Sequence, residues 1–324
     1  MLSGSGSERG ARVDTRFGEE RLMSGMKRGS EMRMVSMAKR CAATWISRLG
    51  MAIAMSALTA IPALAMAGCV VIVPGCGSYA PLIESKRTSQ IPQVADAPIK
   101  VKTQNGSIAI KKHDGTEVTI SAVIRGQTQE RLDATRVLAE RKADNSLAVY
   151  VQWPEGGRKN NEGCDFKIEI PSAKGVTAES SNGSITLVGL AGVLKAESSN
   201  GAITIRAHDG EIKAGTSNGA VTIERAKGKV KASSTNGDIS VSLADEVTGP
   251  VDIDTSNGSV SFEVGPAFVG TLKASTSNGS LTMPSGESIV QTSKTKRSAE
   301  LVFGKGEHAS VVKSSNGSVT VKRR

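Results

Sequence analysis

From Gly175 to the C-terminus, hydrophobic and polar positions alternate in short runs that recur along the chain. A charged or hydroxyl side chain separates successive apolar or small side chains within each run. This period-two alternation predicts pairs of short β-strands, each with one buried face and one face in water. An Asn-Gly corner joins the two strands of a pair. The first unit reads, at its inward and corner positions, Val176, Ala178, Ser180, Asn182, Gly183, Ile185 and Leu187.

The Asn-Gly pair recurs at near-constant spacing. Starting from Asn182, the steps are 18, 18, 18, 21, 21 and 38 residues, and the last is close to two repeats. A period near 20 residues is typical of repeat architectures. We therefore predict an all-β fold, a β-solenoid of repeats of 18–21 residues. The pairs begin at Asn105, Asn182, Asn200, Asn218, Asn236, Asn257, Asn278 and Asn316.

Two assemblies fit this pattern. In an antiparallel meander each Asn-Gly pair forms a tight hairpin turn, whereas in a solenoid each repeat is one coil and equivalent residues stack. Near-constant residue identity and small inward side chains favour the solenoid. The eight asparagines would then form a structural ladder, a buried row with hydrogen bonds along the axis. Tolerance of positive φ at a corner is the expected reason for the Asn-Gly pairs.

The N-terminal part predicts export. Residues 1–48 are polar, and we interpret them as a disordered or untranslated leader. A basic flank and the apolar segment 49–68 indicate a signal sequence. Its ending Ala67–Gly68–Cys69 makes Cys69 the candidate lipidation site, with Cys76 as a second candidate. Retention of the segment as an uncleaved membrane helix is the alternative. We expect a tether over 69–97 and the repeat body over 98–324.

Residues 115–171 interrupt the repeats. We predict strands near 118–123, 147–153 and 165–170 and one helix over 127–141, and we interpret the segment as a cap over the solenoid end. An aromatic binding surface around Tyr150 and Trp153 is the alternative. Near the C-terminus, Ser293–Phe303 resembles a degenerate coil. The charges of the basic residues 322–324 would discourage another chain from pairing with the last strand.

Composition narrows the class of protein. Aromatic residues make up 3% of the chain and glycine contributes 35 residues, which suits a narrow solenoid interior. Of the net charge of +10, half (+5) belongs to the chain from Cys69 onward, where it is distributed over the repeats without interleaved aromatic side chains, so we expect no nucleic-acid partner. The cysteines could form at most a pair between Cys76 and Cys164 once Cys69 is lipidated. We expect no zinc site, because no CxxC motif occurs.

No motif predicts catalysis. The chain lacks a P-loop, a GxSxG elbow and clustered carboxylates, so we predict no enzyme activity, no catalytic residues, no cofactor and no metal. His113 and His208 each precede an Asp-Gly pair, and each lies eight residues after the asparagine of its repeat. This equal spacing indicates two corner residues of one type.

The repeated Ser/Thr-Asn-Gly-x-Ile/Val-Thr units at 180–186, 198–204, 216–222 and 255–261, with the preceding Phe166–Pro171 segment, resemble the bacterial adhesin-like β-strand-repeat family, a domain of unknown function. The resemblance covers roughly residues 97–324. It implies an exported or membrane-attached protein with a β-solenoid-like body, and it supplies no catalytic residues.

Three functions remain open. The first is a lipid-anchored protein of the cell envelope, outside the cytoplasm, which binds an envelope protein or polysaccharide through a repetitive polar surface. The second is an envelope scaffold or an accessory of a membrane regulatory system. A carbohydrate-active enzyme is the third. Protease treatment of intact cells distinguishes a surface protein from a periplasmic one.

Overall fold

A computed structural model describes residues 82–286 and 289–324. The predicted leader (1–48), the signal segment (49–68) and the tether as far as residue 81 lie outside these ranges. The described residues form 23 β-strands and one short helix, which confirms the all-β prediction. Among them, no helix is long and apolar enough to cross a membrane.

Most strands are four to six residues long, and the helix α1 spans Gln129–Ala134. The strands in chain order are β1 (Ile83–Pro92), β2 (Ile99–Lys102), β3 (Ile108–Lys112), β4 (Glu117–Gly126), β5 (Arg136–Arg141), β6 (Leu147–Gln152), β7 (Gly163–Ile170), β8 (Gly175–Ser180), β9 (Ile185–Val188), β10 (Val193–Ser198), β11 (Ile203–Arg206), β12 (Ile212–Thr216), β13 (Val221–Ala226), β14 (Val230–Ser234), β15 (Ile239–Leu243), β16 (Val251–Thr255), β17 (Val260–Val264), β18 (Gly270–Thr276), β19 (Leu281–Thr282), β20 (Ile289–Lys294), β21 (Ser298–Phe303), β22 (Ala309–Ser314) and β23 (Val319–Arg323).

The strands form two sheets, and each coil contributes one strand to each sheet. Sheet A has the order β1-β4-β7-β3-β9-β11-β13-β15-β17-β23-β19, and sheet B has the order β20-β21-β18-β22-β16-β14-β12-β10-β8-β2-β6-β5. The pairs in the middle of both sheets are parallel and in register, for example Ala196 beside Ala214 and Thr204 beside Thr222. The Asn-Gly corner therefore leads from sheet B to sheet A. The solenoid prediction is confirmed, and the antiparallel meander is wrong.

The core lies between the two sheets and follows the predicted inward positions. Sheet A contributes branched side chains in a column that includes Ile185, Ile203 and Val221, each fully buried. Sheet B contributes small side chains opposite them, including Ala196 and Ala214. Sheet B also contributes larger side chains, such as Leu194 and Ile212, so aliphatic residues from both sheets fill the interior. This packing explains why the chain needs few aromatic residues.

The N-terminal end does not follow chain order. Strands β6 and β7 form a coil outside the coil of β2 and β3, which is therefore enclosed on both sides. Strand β5 extends sheet B antiparallel to β6, and β4 and β1 extend sheet A. Two predictions are wrong here. Part of the predicted tether is strand β1, and the second half of the predicted helix is strand β5.

The C-terminal end also departs from chain order. The last coil, β22 and β23, lies between the coil of β16 and β17 and the coil of β18 and β19. Strands β20 and β21 form an antiparallel hairpin that extends sheet B beyond β18, so Ser293–Phe303 is not a degenerate coil. Strand β23 is not an edge either, because it lies between β17 and β19. The Arg324 guanidinium lies 2.9 Å from Glu263 and 3.3 Å from Asp245.

The connection from β17 to β18 passes over this inserted coil and is fixed by an aromatic cluster. Phe268 is 1% exposed, and its ring lies edge-to-face against Phe262, at 5.9 Å between centroids, and against Phe303, at 5.2 Å. Edge-to-face pairs of this kind stabilise a core beyond the area that they bury. Three of the five phenylalanines of the chain meet here.

Candidate binding surface

The asparagines of the Asn-Gly corners form one continuous row, here called the Asn ladder. Each side chain except that of Asn105 donates from Nδ2 to Oδ1 of the asparagine in the neighbouring coil, at 2.5–2.8 Å. The order in space is Asn105, Asn182, Asn200, Asn218, Asn236, Asn257, Asn316 and Asn278. At its first end, Asn105 donates to the carbonyl of Glu162 at 3.2 Å. The ladder is exposed to solvent, and not buried as we expected.

A second row of hydrogen bonds lies beneath the ladder. The Ser or Thr two residues before each asparagine is buried, and its hydroxyl donates to the carbonyl of a residue in the neighbouring coil, as Ser198 donates to Gly183 at 3.1 Å. Where the residue is Ser180, Ser198 or Ser234, the same oxygen accepts from the glycine N–H of its own corner. These bonds satisfy buried polar groups that would otherwise be costly. Sequence reasoning recognised the small size of these residues and missed their bonds.

The corner glycines are required by close packing and not by backbone conformation. None of the described Asn-Gly glycines has a positive φ. A Cβ on Gly219 would lie 2.1 Å from the carbonyl oxygen of Gly201 in the next coil. Our expectation of positive φ was therefore wrong, because the distance between stacked coils excludes a side chain at this position.

The outer face of sheet B is charged and internally paired. Lysines stand on alternate outward positions, and they reach neighbouring carboxylates, as in Lys195–Glu197 at 2.9 Å and Lys231–Asp252 at 3.2 Å. These side chains are about half exposed, so each pair contributes little to stability. The pairing neutralises much of the charge of this face.

The outer face of sheet A is different, because its central row consists of hydroxyl side chains. We call this set the hydroxyl row: Thr186, Thr204, Thr222, Ser240, Ser261, Thr320 and Thr282, which pair in register across seven coils. In the part of the chain that the structure describes, none of these hydroxyls has a hydrogen-bond partner. The hydroxyls of the inward Ser and Thr residues are hydrogen-bonded to the neighbouring coil, so those of the hydroxyl row are the ones available to a ligand.

A shallow depression of about 350 Å³ lies at the middle of the hydroxyl row. Thr222, Ser240, Ser261 and Thr320 line it, together with Asp238 and Lys322. The Asp238 carboxylate accepts from the backbone N–H of Ser259 at 2.7 Å. The depression therefore offers mainly uncharged groups that both donate and accept hydrogen bonds.

An open cleft of about 450 Å³ lies beside the first coils, near Asn105 and Asn182. Its charged groups are already paired, since Arg125 Nη2 lies 2.8 Å from Asp165 Oδ2. The other carboxylate oxygen of Asp165 accepts from the backbone and side chain of Ser107, at 2.7 and 3.0 Å. The cleft thus presents few groups that a ligand could recognise.

The predicted cap places its polar groups in structural roles. The Glu162 side chain is fully buried and forms two hydrogen bonds with Arg131, at 2.6 and 2.9 Å, which hold its pKa below the usual value. Tyr150 donates to Glu140 at 3.2 Å, and Trp153 is partly buried against the core. The structure does not gather Tyr150 and Trp153 into a recognisable binding surface.

The histidines and the buried cysteine have separate environments. His208 is buried, with Nε2 2.9 Å from the carbonyl of Gly192, and desolvation lowers its pKa. His113 is more exposed and connects β3 to β4 within sheet A, whereas His208 connects β11 of sheet A to β12 of sheet B, so the two are not corner residues of one type. Cys164 is a fully buried thiol without a disulfide partner among the described residues, and burial raises its pKa to about 12. Cys76, the candidate partner for a bridge to Cys164, lies outside the described residues.

No cluster of His, Cys, Asp or Glu within residues 82–286 and 289–324 could hold a metal ion. The proposed lipidation sites, Cys69 and Cys76, lie outside these ranges and stay predictions. The groups that the structure brings together are therefore the Asn ladder, the hydroxyl row and the paired charges of sheet B.

Comparisons with solved structures find several bacterial proteins of low similarity. A protein of Clostridium sporogenes, provisionally described as a cell adhesion protein, is 12% identical with a TM-score of 0.37, covering 75% of this chain and 100% of its own. A protein of Bacteroides fragilis, provisionally described as an adhesin, is 14% identical with a TM-score of 0.36, covering 75% of this chain and 97% of its own. A protein of Parabacteroides distasonis, provisionally described as lipid-binding, is 13% identical with a TM-score of 0.31, covering 74% of this chain and 96% of its own.

These likenesses carry no inference about what the chain does, because the TM-scores are below 0.5. No curated protein matches the sequence. The model of the family described as Toastrack DUF4097 matches residues 74–322, which include nearly all of the solenoid and most of the chain. The chain belongs to the Toastrack DUF4097 family.

Proposed function

We propose that this chain is a lipid-anchored, non-catalytic protein of the cell envelope that binds repetitive polysaccharide, in the manner of an adhesin, through the hydroxyl row of sheet A. The observation that carries the proposal is the contrast between the two sets of hydroxyls. Those that point inward are bonded to the neighbouring coil, whereas those of the hydroxyl row have no partner among the described residues.

The chemistry of the row suits a sugar polymer. Hydroxyl groups donate and accept hydrogen bonds, as sugar hydroxyls do, so either partner can adapt to the other. Parallel strands place equivalent side chains about 4.8 Å apart. A polymer with a short repeat would meet the same groups several times, and weak individual contacts would combine into useful avidity.

The charges favour an uncharged polymer and a binding role. The ion pairs of sheet B leave few free charges for a polyanion on that face. In the depression of sheet A, Asp238 is the single carboxylate among the lining residues. Glycosidases ordinarily use two carboxyl groups on opposite sides of the scissile bond, so this arrangement supports binding without hydrolysis.

The binding test compares the same substitution on the two faces. Ser240 lies outward on β15 in sheet A, and Ser233 lies outward on β14 in sheet B; both are exposed. We expect Ser240→Arg to weaken co-sedimentation with insoluble neutral glucans and purified bacterial cell walls by about tenfold or more, since it places a bulky charge in the row and removes a hydroxyl. Ser233→Arg should bind as the unmodified protein does.

Equal binding by the two variants would exclude the hydroxyl row as the contact surface. Binding that Ser233→Arg abolishes would assign the contact to sheet B. Absence of binding to every glucan and cell-wall preparation, with the unmodified protein folded, would contradict the polysaccharide proposal.

Location is tested separately. If Cys69 carries the lipid, metabolic labelling with a tagged fatty acid should mark the protein, and Cys69→Ala should lose the label and leave the membrane fraction, whereas Cys76→Ala should keep both. Protease added to intact cells should remove the solenoid body. Protection until the cells are lysed would place the body in the periplasm and favour the envelope scaffold over adhesion.

A further inference from the structure

The chain contains eight Asn-Gly pairs, and this dipeptide is the one in which asparagine deamidates most readily, because glycine places no side chain beside the attacking nitrogen. In this reaction the glycine backbone nitrogen forms a bond to Cγ of the asparagine, the bond from Cγ to Nδ2 breaks, and ammonia leaves. Water then opens the cyclic imide at either carbonyl and gives aspartate or isoaspartate. No oxidant or reductant is required.

The Asn ladder opposes this reaction at its inner positions. To reach the glycine nitrogen, the asparagine side chain must rotate away from both of its neighbours. For Asn200 this breaks the bond that it donates to Asn182 and the bond that it accepts from Asn218, each 2.7 Å long. The amide is held in place by two bonds and by the stacked coils on either side.

The hydrogen bond at the glycine nitrogen gives a second level of protection. In the corners that follow Ser180, Ser198 and Ser234, the glycine N–H donates to the serine Oγ at 2.9–3.0 Å, which holds this nitrogen away from the amide. In the corners that follow Thr103, Thr216, Thr255, Thr276 and Ser314, the described residues show no such bond. The eight pairs therefore fall into classes that the sequence alone does not rank.

Asn278 has one ladder bond instead of two and lacks the hydrogen bond at the glycine nitrogen. It is the last position of the ladder in space: Nδ2 donates to Asn316 at 2.7 Å, and Oδ1 has no partner among the described residues. Its corner follows a threonine. Strand β19 beyond it has only two residues and pairs with β23 alone. Short, singly paired segments open more easily than the centre of a sheet.

We propose that Asn278 is a site of spontaneous deamidation in the folded protein, and that the ladder preserves the inner asparagines. The consequence is local. A carboxylate at position 278 cannot donate to Asn316, so the last ladder bond is lost. Isoaspartate also lengthens the main chain beside Gly279, where a Cβ would already lie 2.1 Å from the Gly317 carbonyl. The coil of β18 and β19, which covers the inserted C-terminal coil, should loosen.

The eight pairs serve as controls for one another. The full-length protein is incubated in mildly alkaline ammonium-free buffer, and each Asn-Gly peptide is followed by mass spectrometry over weeks. We expect Asn278 to deamidate about tenfold faster than Asn200, with Asn218 and Asn257 between them, because local opening at the end is easier than in the interior. In denaturant the eight rates should become similar, since the dipeptide is the same.

A serine substitution tests the mechanism. Thr276→Ser keeps the hydroxyl that donates to Gly317 at 2.7 Å. The serine oxygen is designed to accept from the Gly279 N–H, as in the corners that follow Ser180, Ser198 and Ser234. We expect it to slow deamidation of Asn278 severalfold and to leave Asn200 unchanged. Equal rates for Asn278 and Asn200 in the folded protein would overturn the proposal, and an unchanged rate in Thr276→Ser would refute the protective role of the serine bond.

Discussion

Replacing Gly219 by alanine should destabilise the protein by about 3 kcal/mol or more, the upper part of the range for overpacking, because the new methyl group meets backbone atoms that cannot move aside. The added Cβ would lie 2.1 Å from the oxygen and 2.5 Å from the carbon of the Gly201 carbonyl. That carbonyl is fixed by the hydrogen bond that it accepts from Thr216 at 3.0 Å. The measurement is the midpoint of urea unfolding, followed by circular dichroism.

Gly215→Ala is the matched control. Gly215 belongs to the same coil, in β12, but it faces outward, and the nearest atom to an added Cβ is the Ser233 hydroxyl at 3.3 Å. A serine side chain can rotate away, so we expect a change of at most about 1 kcal/mol, and a stabilising one is allowed because alanine restricts the unfolded chain. Equal losses in the two variants would show that contact with the stacked coil is not what requires Gly219.

Removal of residues 307–324 should release more of the chain than the deleted residues themselves. These residues form the inserted coil of β22 and β23, whose loss removes the sheet partner of β19 and one of the two partners of β18. It also removes the buried side chains of Val312, Val319 and Val321, which stabilise the end of the solenoid by about 5 kcal/mol together. We expect residues 270–303 to become sensitive to protease, while the core up to Val264 stays resistant.

The control is a chain that ends at Val321, which loses the basic tail, including the last two residues of β23, and keeps β22 and the buried residues of β23. Its digestion pattern should match that of the intact protein. A synthetic peptide of residues 307–324, added to the longer truncation, should restore protection of residues 270–303 by filling the open position between β16 and β18. Persistent protection without the peptide would mean that the outer coil can dock directly on the coil of β16 and β17, which contradicts the role given to the insertion.

The repeats could be predicted because each of them is a local pattern. The alternation of inward and outward side chains around Val176, Ala178 and Ser180 predicts which of them are buried. The near-constant spacing of the asparagines predicts that the coils stack in register. The same reasoning misjudged the glycines. Sequence associates Asn-Gly with positive φ, but the distance to the neighbouring coil, which no single repeat reveals, is what excludes a Cβ at Gly219.

The candidate binding surface could be predicted only in part from the sequence. Ser and Thr residues are frequent on both sides of the strands, so composition could not tell which hydroxyls are used. The structure separates them: Ser198 donates to Gly183 in the next coil, whereas Ser240 stands free on sheet A among the described residues. The Asn ladder was expected to be buried, yet its side chains lie at the surface, because the corner turns them outward between the two sheets.

By itself the sequence determined the all-β class, the repeat length, the inward positions and the resemblance to adhesin-like repeat proteins, since these depend on residues within one repeat. Only the tertiary structure decided the order of coils at both ends, where β2–β3 and β22–β23 are each enclosed between coils from other parts of the chain. The physical reason is that a coil can pair with any neighbour of matching register. Which neighbour it takes depends on the cap strands, the connecting loops and the aromatic cluster at Phe268, where Phe268 contacts the sequence-distant Phe303.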